Sequence, residues 1–125
     1  MQKKTITKND VFDSASKLGV SISKSIKFEQ FKKDQDRFLK DENLQNLYKN
    51  YLDVYTEYEA ARQHNGDSQD LVIKLKNIEK QLFDFDIFRD LISSQNEFFD
   101  YLKLINSEIS SNLMFDFASL AKTNI

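Results

Sequence analysis

The chain has 125 residues, of which 40% are apolar and 30% charged, and its net charge is −2. This composition is typical of one globular domain and excludes a disordered chain. With no cysteine and a single histidine, the sequence also excludes disulfides and thiolate metal sites built from its own side chains.

Residues that break helices are scarce, since the chain contains two glycines and no proline. Apolar residues recur at spacings of three and four almost throughout, which is the pattern of amphipathic helices. We therefore predict an all-α fold of about five helices in a bundle, with a long third and a long last helix. Residues 1–125 are expected to form a single domain, with a flexible N-terminus at 1–9 and a frayed tail at 116–125.

The first predicted helix begins near Asn9 or Asp10, either of which can cap it. Glycine in a helix interior costs about 1 kcal/mol relative to alanine, so Gly19 inside this helix needs a reason. Either another helix approaches the backbone closely there, or a surface glycine is tolerated. The apolar stripe of the helix consists of Val11, Ala15, Leu18, Ile22 and Ile26.

The stripe changes phase after Ile26, which predicts a second, shorter helix that is bent or broken from the first around residues 25–27. Asp41 is a suitable cap for the third helix. The third helix then carries a ladder of tyrosines, which is either a binding surface or, more often, a core seam whose hydroxyls reach solvent. The second stripe consists of Phe28, Phe31, Phe38 and Leu39, with polar Gln35 at one of its positions, and the ladder of Tyr48, Tyr51, Tyr55 and Tyr58.

The strongest turn signal lies at residues 64–68. Gly66 suits the left-handed position that closes a helix, and Asp67 or Ser68 can cap the next one. Asp84 and Asp86 are expected to cap the last helix. The fourth stripe consists of Leu71, Leu75, Ile78, Leu82 and Phe85, and the last of Phe88, Leu91, Ile92, Gln95, Phe98, Phe99, Leu102, Ile105 and Ile109.

The length of the last helix predicts self-association. A helix over about residues 87–113 would be about 40 Å long, whereas a compact domain of this size is about 35 Å across. The apolar stripe would overhang, so we expect another copy or another protein to cover it, with a homodimer favoured. The predicted packing or oligomer surface consists of Leu18, Gly19, Ile22, Tyr51, Tyr55, Phe98, Leu102, Ile105 and Ile109.

Charge is distributed unevenly along the chain. Residues 1–40 hold ten Lys and Arg against five Asp and Glu, whereas residues 41–125 hold eight against fifteen. This pattern is consistent with a basic face for nucleic acid or an acidic partner. It is also consistent with solvated faces that differ by chance, or with two halves that attract each other across an oligomer. Because the lysines are dispersed and not interleaved with aromatic residues, direct nucleic-acid binding is not expected.

Patterns that carry catalysis or hold cofactors are absent from the sequence. His64 has no second histidine as a companion, and there is no Glu-x-x-His pair, P-loop, nucleophile elbow or dinucleotide glycine pattern. Asp84 and Asp86 could serve as acid and base, but their place at a helix junction favours capping. We therefore expect no enzyme activity, no metal and no cofactor. The absence of an apolar run of about 20 residues predicts a cytoplasmic protein without membrane insertion.

The order of stripes and turns resembles the YlbF/YmcA/YheA family of small bacterial helical proteins. The resemblance covers about residues 10–111. It rests on Ala15-x-x-Leu18-Gly19-x-x-Ile22-x-x-Ser25, then Phe28-x-x-Phe31, Asp41 with Leu44 and Leu47, Gly66, Leu75 with Ile78 and Leu82, and Phe98-x-x-x-Leu102-x-x-Ile105-Asn106-x-x-Ile109.

The resemblance implies an oligomeric, non-catalytic regulatory protein. Family members act in complexes that influence competence, sporulation and biofilm formation, and their suggested role is to modulate RNA processing by the membrane-attached ribonuclease Y. Two departures limit this comparison: the chain has no cysteine for an iron–sulfur role, and residues 84–86 replace the Asn-Pro that relatives commonly have. A structural coiled-coil or secretion-associated subunit with the same helical pattern is the alternative.

Overall fold

The computed structural model describes residues 5–121. Among these residues there are five α-helices and a short 3-10 turn, and no strand. The helices are α1 (Lys8–Ser23), α2 (Ile26–Lys40), α3 (Glu42–Gln63), α4 (Gln69–Phe83) and α5 (Asp86–Leu113), and the 3-10 turn spans Ala118–Ala121. The predicted all-α fold of about five helices, with a long third and a long last helix, is confirmed.

Helix α1 is capped by Thr7, not by Asn9 or Asp10. The Thr7 hydroxyl oxygen accepts a hydrogen bond from the Asp10 backbone N–H at 3.3 Å, and the Asp10 carboxylate accepts one from the Thr7 backbone N–H at 3.1 Å. This reciprocal pair is a capping box. Hydrogen bonds from the hydroxyl and the backbone N–H of Thr7 lower the pKa of Asp10. The predicted cap is therefore wrong, although Asp10 does take part from inside the first turn.

The break between α1 and α2 lies at Lys24 and Ser25. Ser25 caps α2, since its Oγ accepts a hydrogen bond from the Phe28 backbone N–H at 3.3 Å and donates one to the Ile22 carbonyl at 2.6 Å. Ile26 is the first residue of α2 and is exposed. The spacing predicted that Ile26 extends the apolar stripe of α1, and this prediction is wrong.

The core consists of two helix pairs, α2 with α5 and α3 with α4. Phe38 of α2 joins the pairs, because its ring centroid lies 5.4 Å from that of Tyr48 on α3 and 6.3 Å from that of Phe88 on α5. The turn from α2 into α3 is fixed by Asp41, whose Oδ1 accepts a hydrogen bond from the Leu44 backbone N–H at 3.0 Å, as predicted. The central buried side chains are Phe38, Leu44, Val54, Leu75, Ile78, Leu82, Phe88 and Leu91.

The buried face of α2 contains a charged residue. Asp34 is only 2% exposed, and both its carboxylate oxygens accept a hydrogen bond from Gln30 Nε2 at 3.1 Å. Arg37 lies 3.5 Å from Asp34 and 3.1 Å from Asp90 of α5. The buried polar position is therefore Asp34 and not Gln35, and Leu39, which the predicted stripe included, is exposed.

The turn between α3 and α4 differs from its prediction. Asn65 has the positive φ, 55°, and Gly66 does not. Asparagine tolerates the left-handed region better than most residues, so it takes the position predicted for Gly66. A Cβ on Gly66 would lie only 3.3 Å from the Ala61 carbonyl oxygen, so this glycine serves a close backbone approach. Ser68 makes no side-chain cap, whereas Asp67 Oδ1 accepts a hydrogen bond from the Gln69 backbone N–H at 3.1 Å.

The start of α5 is also capped differently from the prediction. Phe85 occupies the N-cap position in an extended conformation and makes no side-chain hydrogen bond. Asp84 instead ends α4, where its backbone N–H bonds to the Lys80 carbonyl at 3.1 Å. Asp86 lies in the first turn of α5 and forms an ion pair with Arg89. Neither aspartate acts as a side-chain cap.

Candidate interaction surface

Two helical segments leave the core at the same place. Lys27 Nζ lies 3.2 Å from Glu97 Oε2, and the ring centroids of Phe28 and Phe98 are 5.4 Å apart. The beginning of α2 therefore lies beside the middle of α5, with α1 entering at this point and α5 continuing past it. We call Lys8–Ser23 the α1 arm and residues 99–113 the α5 arm. At 1.5 Å per residue the two arms are about 24 Å and 22 Å long.

The α1 arm has no buried residue, and Ile22 is its only half-buried one. Val11 is 56% exposed and Phe12 59% exposed, and Lys8 Nζ lies over the Phe12 ring, 5.3 Å from its centroid. An isolated helix of this length is marginal in water. The arm thus presents an apolar face that residues 5–121 leave uncovered.

Gly19 is exposed on the α1 arm, and a Cβ built there would meet nothing within 4 Å. No other helix among the described residues therefore approaches the backbone at Gly19, and approach by a helix of a second chain stays a prediction. The glycine stays a cost to the helix with no packing partner among the described residues.

Replacing Gly19 by alanine should raise the free energy of unfolding by about 0.5–1 kcal/mol, because alanine has the better helix propensity and its Cβ has open space. Urea unfolding monitored by circular dichroism measures this gain. Gly66→Ala is the matched control and should give no gain, because its Cβ lies 3.3 Å from a backbone oxygen. A lower free energy of unfolding in Gly19→Ala would show that a second chain lies against Gly19.

The α5 arm has no buried residue either, since the last buried residue of α5 is Phe98. Leu102, Ile105 and Ile109 are half-buried. Overhang of the last helix beyond the core, which the length argument predicted, is thus present. Further along, the cap residue Met114 has a left-handed φ of 63° and turns the chain back.

The segment after α5 folds back onto the arm through hydrogen bonds. Asn106 Nδ2 donates to Asp116 Oδ1 at 3.0 Å, and Asn106 Oδ1 accepts from the Ala118 backbone N–H at 3.1 Å. The Phe117 backbone N–H donates to Ser110 Oγ at 2.9 Å. Residues 116–118 of the predicted frayed tail are held in this way, and residues 122–125 lie outside the described part. Sequence reasoning missed Asn106 and Ser110 as anchors, although both are polar positions next to Ile105 and Ile109.

The tyrosine ladder belongs to the α3–α4 pair. Successive ring centroids along Tyr48, Tyr51, Tyr55 and Tyr58 are 6.4, 6.4 and 6.2 Å apart. All but Tyr55 pack against the core, and Tyr55 is 44% exposed. The Tyr51 hydroxyl donates to Glu79 Oε1 at 3.2 Å, and burial together with this carboxylate raises the pKa of Tyr51. The core-seam interpretation fits this arrangement better than a binding surface.

Phe98 anchors the point where the arms diverge. It is buried, and its ring centroid lies 5.4 Å from that of Phe28 and 5.6 Å from that of Phe31. The predicted surface residues thus fall into three groups, which are the α1 arm, the α5 arm, and the core or its seam. The groups are Leu18, Gly19 and Ile22; Leu102, Ile105 and Ile109; and Phe98, Tyr51 and Tyr55.

Residues 5–121 present apolar side chains for contact with other molecules and few groups for metal binding or catalysis. No group of three His, Cys, Asp or Glu side chains lies close enough together to hold a metal ion in this part of the chain. None of its helices is long and apolar enough to cross a bilayer. Within the same residues, an open cleft of about 500 Å³ beside the C-terminal turn is lined by Asn106, Ser107, Ser110, Ser111, Met114, Phe115 and Asp116.

Comparisons with known proteins give a family and a fold. Residues 11–114 match the sequence model of Com_YlbF, described as control of competence regulator ComK, YlbF/YmcA. No curated protein matches the sequence. A similar solved structure is the X-ray crystal structure of Bacillus subtilis RicA in complex with RicF. The similarity has a TM-score of 0.75 at 18% sequence identity, and it covers 86% of this chain and 96% of that one. At this identity the likeness shows a shared fold.

Proposed function

Because the chain belongs to the YlbF/YmcA family, which is described as controlling the competence regulator ComK, we propose that it is a non-catalytic regulatory adaptor. It would act through contacts between its helix faces and other proteins. The observation that carries the proposal is the pair of arms, whose apolar side chains lie outside the core. Exposed apolar surface of this extent is typical of protein interaction sites.

In its finer form, the proposal is that the chain modulates RNA processing and developmental regulation, including competence, sporulation and biofilm formation. It would do so in the cytoplasm, as a homo-oligomer, with a dimer favoured, that meets other regulatory proteins or an RNA-processing complex. The family description supports the link to competence. The structure of RicA in complex with RicF supports a role in assembly, since a protein of the same fold is there bound to another protein.

A deletion and complementation experiment tests the proposal. Deleting the gene in its bacterium should change the level of the competence regulator and the ends of processed transcripts, and the wild-type gene should restore both. Leu18→Asp, which places a charge on the α1 arm, should restore neither. Ile73→Asp is the matched control, because Ile73 is an exposed aliphatic residue of α4 outside the arms.

Two results would contradict the regulatory role. The first is a deletion strain whose regulator level and transcript ends match the parent strain. The second is full complementation by Leu18→Asp. Unchanged regulation together with elongated multimers in solution scattering would favour the structural coiled-coil subunit instead.

A further inference from the structure

We propose that Asn65 is a site of spontaneous covalent modification, at which the Gly66 backbone nitrogen attacks the Asn65 side chain and the side-chain amide is lost as ammonia. The inference does not depend on the adaptor role. It rests on the turn between α3 and α4, where an exposed asparagine in the left-handed conformation is followed directly by glycine. Of all the asparagines in the sequence, Asn65 alone precedes a glycine.

The reaction balances with the chain and water alone. The Gly66 nitrogen gives up its proton to solvent base and forms a bond to the side-chain carbonyl carbon of Asn65, and the bond from that carbon to the amide nitrogen breaks as ammonia leaves. The product is a succinimide ring. Water then opens the ring at either carbonyl, which leaves aspartate or isoaspartate at position 65. Glycine favours ring closure, because it has no Cβ and adopts backbone conformations closed to other residues.

The folded turn holds the attacking nitrogen in a hydrogen bond. The Gly66 backbone N–H donates to the Ala61 carbonyl at 2.8 Å, and the Asn65 backbone N–H donates to the Arg62 carbonyl at 3.3 Å. These two bonds, with Asn65 in the left-handed conformation, form the Schellman motif that ends α3. Because the Gly66 nitrogen has to lose its proton and reach the Asn65 side chain, the motif must open before the ring closes.

Opening of this turn leaves the core intact. Residues 62–67 are exposed, and the last buried residue of α3 is Val54, about two helical turns before Ala61. Helix ends with few buried contacts open at a small free energy while the rest of the protein stays folded. The rate of modification is therefore set by fraying of the last turn of α3, and the reaction proceeds from a locally open state.

Both products weaken the turn. Isoaspartate routes the backbone through the former side chain and adds one methylene, which displaces Gly66 from the Ala61 carbonyl. Aspartate keeps the backbone but places a negative charge at the C-terminal end of α3, where the helix dipole disfavours it. Because this turn joins the two helices of the α3–α4 pair, the modified chain should unfold at a lower urea concentration than the unmodified chain.

Mass spectrometry of the purified full-length chain, incubated at mildly alkaline pH, tests the site. Trypsin cleaves after Arg62 and Lys74, so one peptide, residues 63–74, carries the asparagine–glycine pair. That peptide should gain the mass that replacement of an amide NH2 by OH gives, and a protein isoaspartate methyltransferase should methylate it. The folded chain should react about tenfold or more slowly than the chain denatured in guanidinium chloride. Asn65→Gly, which suits the left-handed position, should abolish the mass gain.

A matched pair of alanine-to-glycine variants tests the role of local opening. Ala60 is exposed near the end of α3, and Ala15 is exposed in the middle of α1. Ala60→Gly should speed the reaction of the folded chain about fivefold, which is the factor given by the difference in helix propensity between alanine and glycine. Ala15→Gly should leave the rate unchanged. In the denatured chain both variants should react like wild type, and circular dichroism establishes that both are folded in buffer.

Three results would overturn the inference. Equal rates in the folded and denatured chains would show that the Schellman motif does not protect the Gly66 nitrogen. A peptide that keeps its unmodified mass even in folded Ala60→Gly would exclude the site. Equal acceleration by Ala60→Gly and Ala15→Gly would place the reaction in the globally unfolded chain. None of these results bears on the deletion strain, which tests the regulatory role.

Discussion

Replacing Leu44 by alanine lowers the free energy of unfolding by about 3–4 kcal/mol. Leu44 is fully buried and belongs to the central cluster, which contains apolar residues of both helix pairs. Truncation removes the transfer free energy of the lost methyl groups and leaves a cavity that the neighbouring helices fill only in part. For a domain stabilised by about 5–15 kcal/mol, this is a large share of the total.

Urea unfolding measured by circular dichroism gives this value directly. The midpoint should fall while the slope with urea concentration stays unchanged, since the surface exposed on unfolding is nearly the same. Leu39→Ala is the matched control, because Leu39 is 60% exposed, lies outside the arms and should change stability by less than about 0.5 kcal/mol. Equal effects at the two leucines would contradict the core described here.

Replacing Phe98 by alanine has a similar effect on stability, about 3–4 kcal/mol, and a second effect on the arms. Its ring is packed against Phe28, Phe31 and Phe99, with centroids 5.4, 5.6 and 6.3 Å away. Because Phe98 is the last buried residue of α5, the substitution removes the attachment from which the α5 arm extends. We therefore expect amide hydrogens of residues 99–113 to exchange faster.

Hydrogen exchange followed by mass spectrometry, together with urea unfolding, separates the two effects. Phe99→Ala is the neighbouring control: Phe99 is half-exposed, so it should lose about 1 kcal/mol and leave exchange in the arm nearly unchanged. If Phe98→Ala and Phe99→Ala lower the free energy of unfolding equally, the aromatic cluster does not depend on Phe98. If exchange in residues 99–113 stays slow in Phe98→Ala, the arm has its own support.

Much of the fold follows from local patterns in the sequence. Helical periodicity and the near absence of glycine and proline placed the five helices, and Asp41 was identified as a cap because a side-chain cap needs only its own first turn. The departures arise where two groups compete for one position. Thr7 caps α1 because Asp10 follows it three residues later and completes the capping box. Asn65 takes the left-handed position that was predicted for Gly66.

The interaction surface was harder to predict, because spacing alone does not tell which apolar residues another element covers. Phe98 and Leu102 continue the same stripe, yet only Phe98 faces the aromatic residues of α2. Likewise Asp34 is buried because Gln30 and Arg37 on its own helix satisfy its carboxylate. Periodicity leads one to expect an apolar residue at a buried position, so the burial of Asp34 was not predicted.

The two arms differ in stiffness. Helix α5 passes from the core into its arm without a proline, a glycine or a break, which are the usual causes of a bend. Helix α1 is joined to α2 by the non-helical pair Lys24 and Ser25, and Ser25 Oγ links the two helices because it accepts from the Phe28 backbone N–H and donates to the Ile22 carbonyl. We expect a change in the spacing between the arms to require loss of this link, after which α1 swings against α5. Partners of different thickness would be accommodated by one joint of two residues, while the core stays undisturbed.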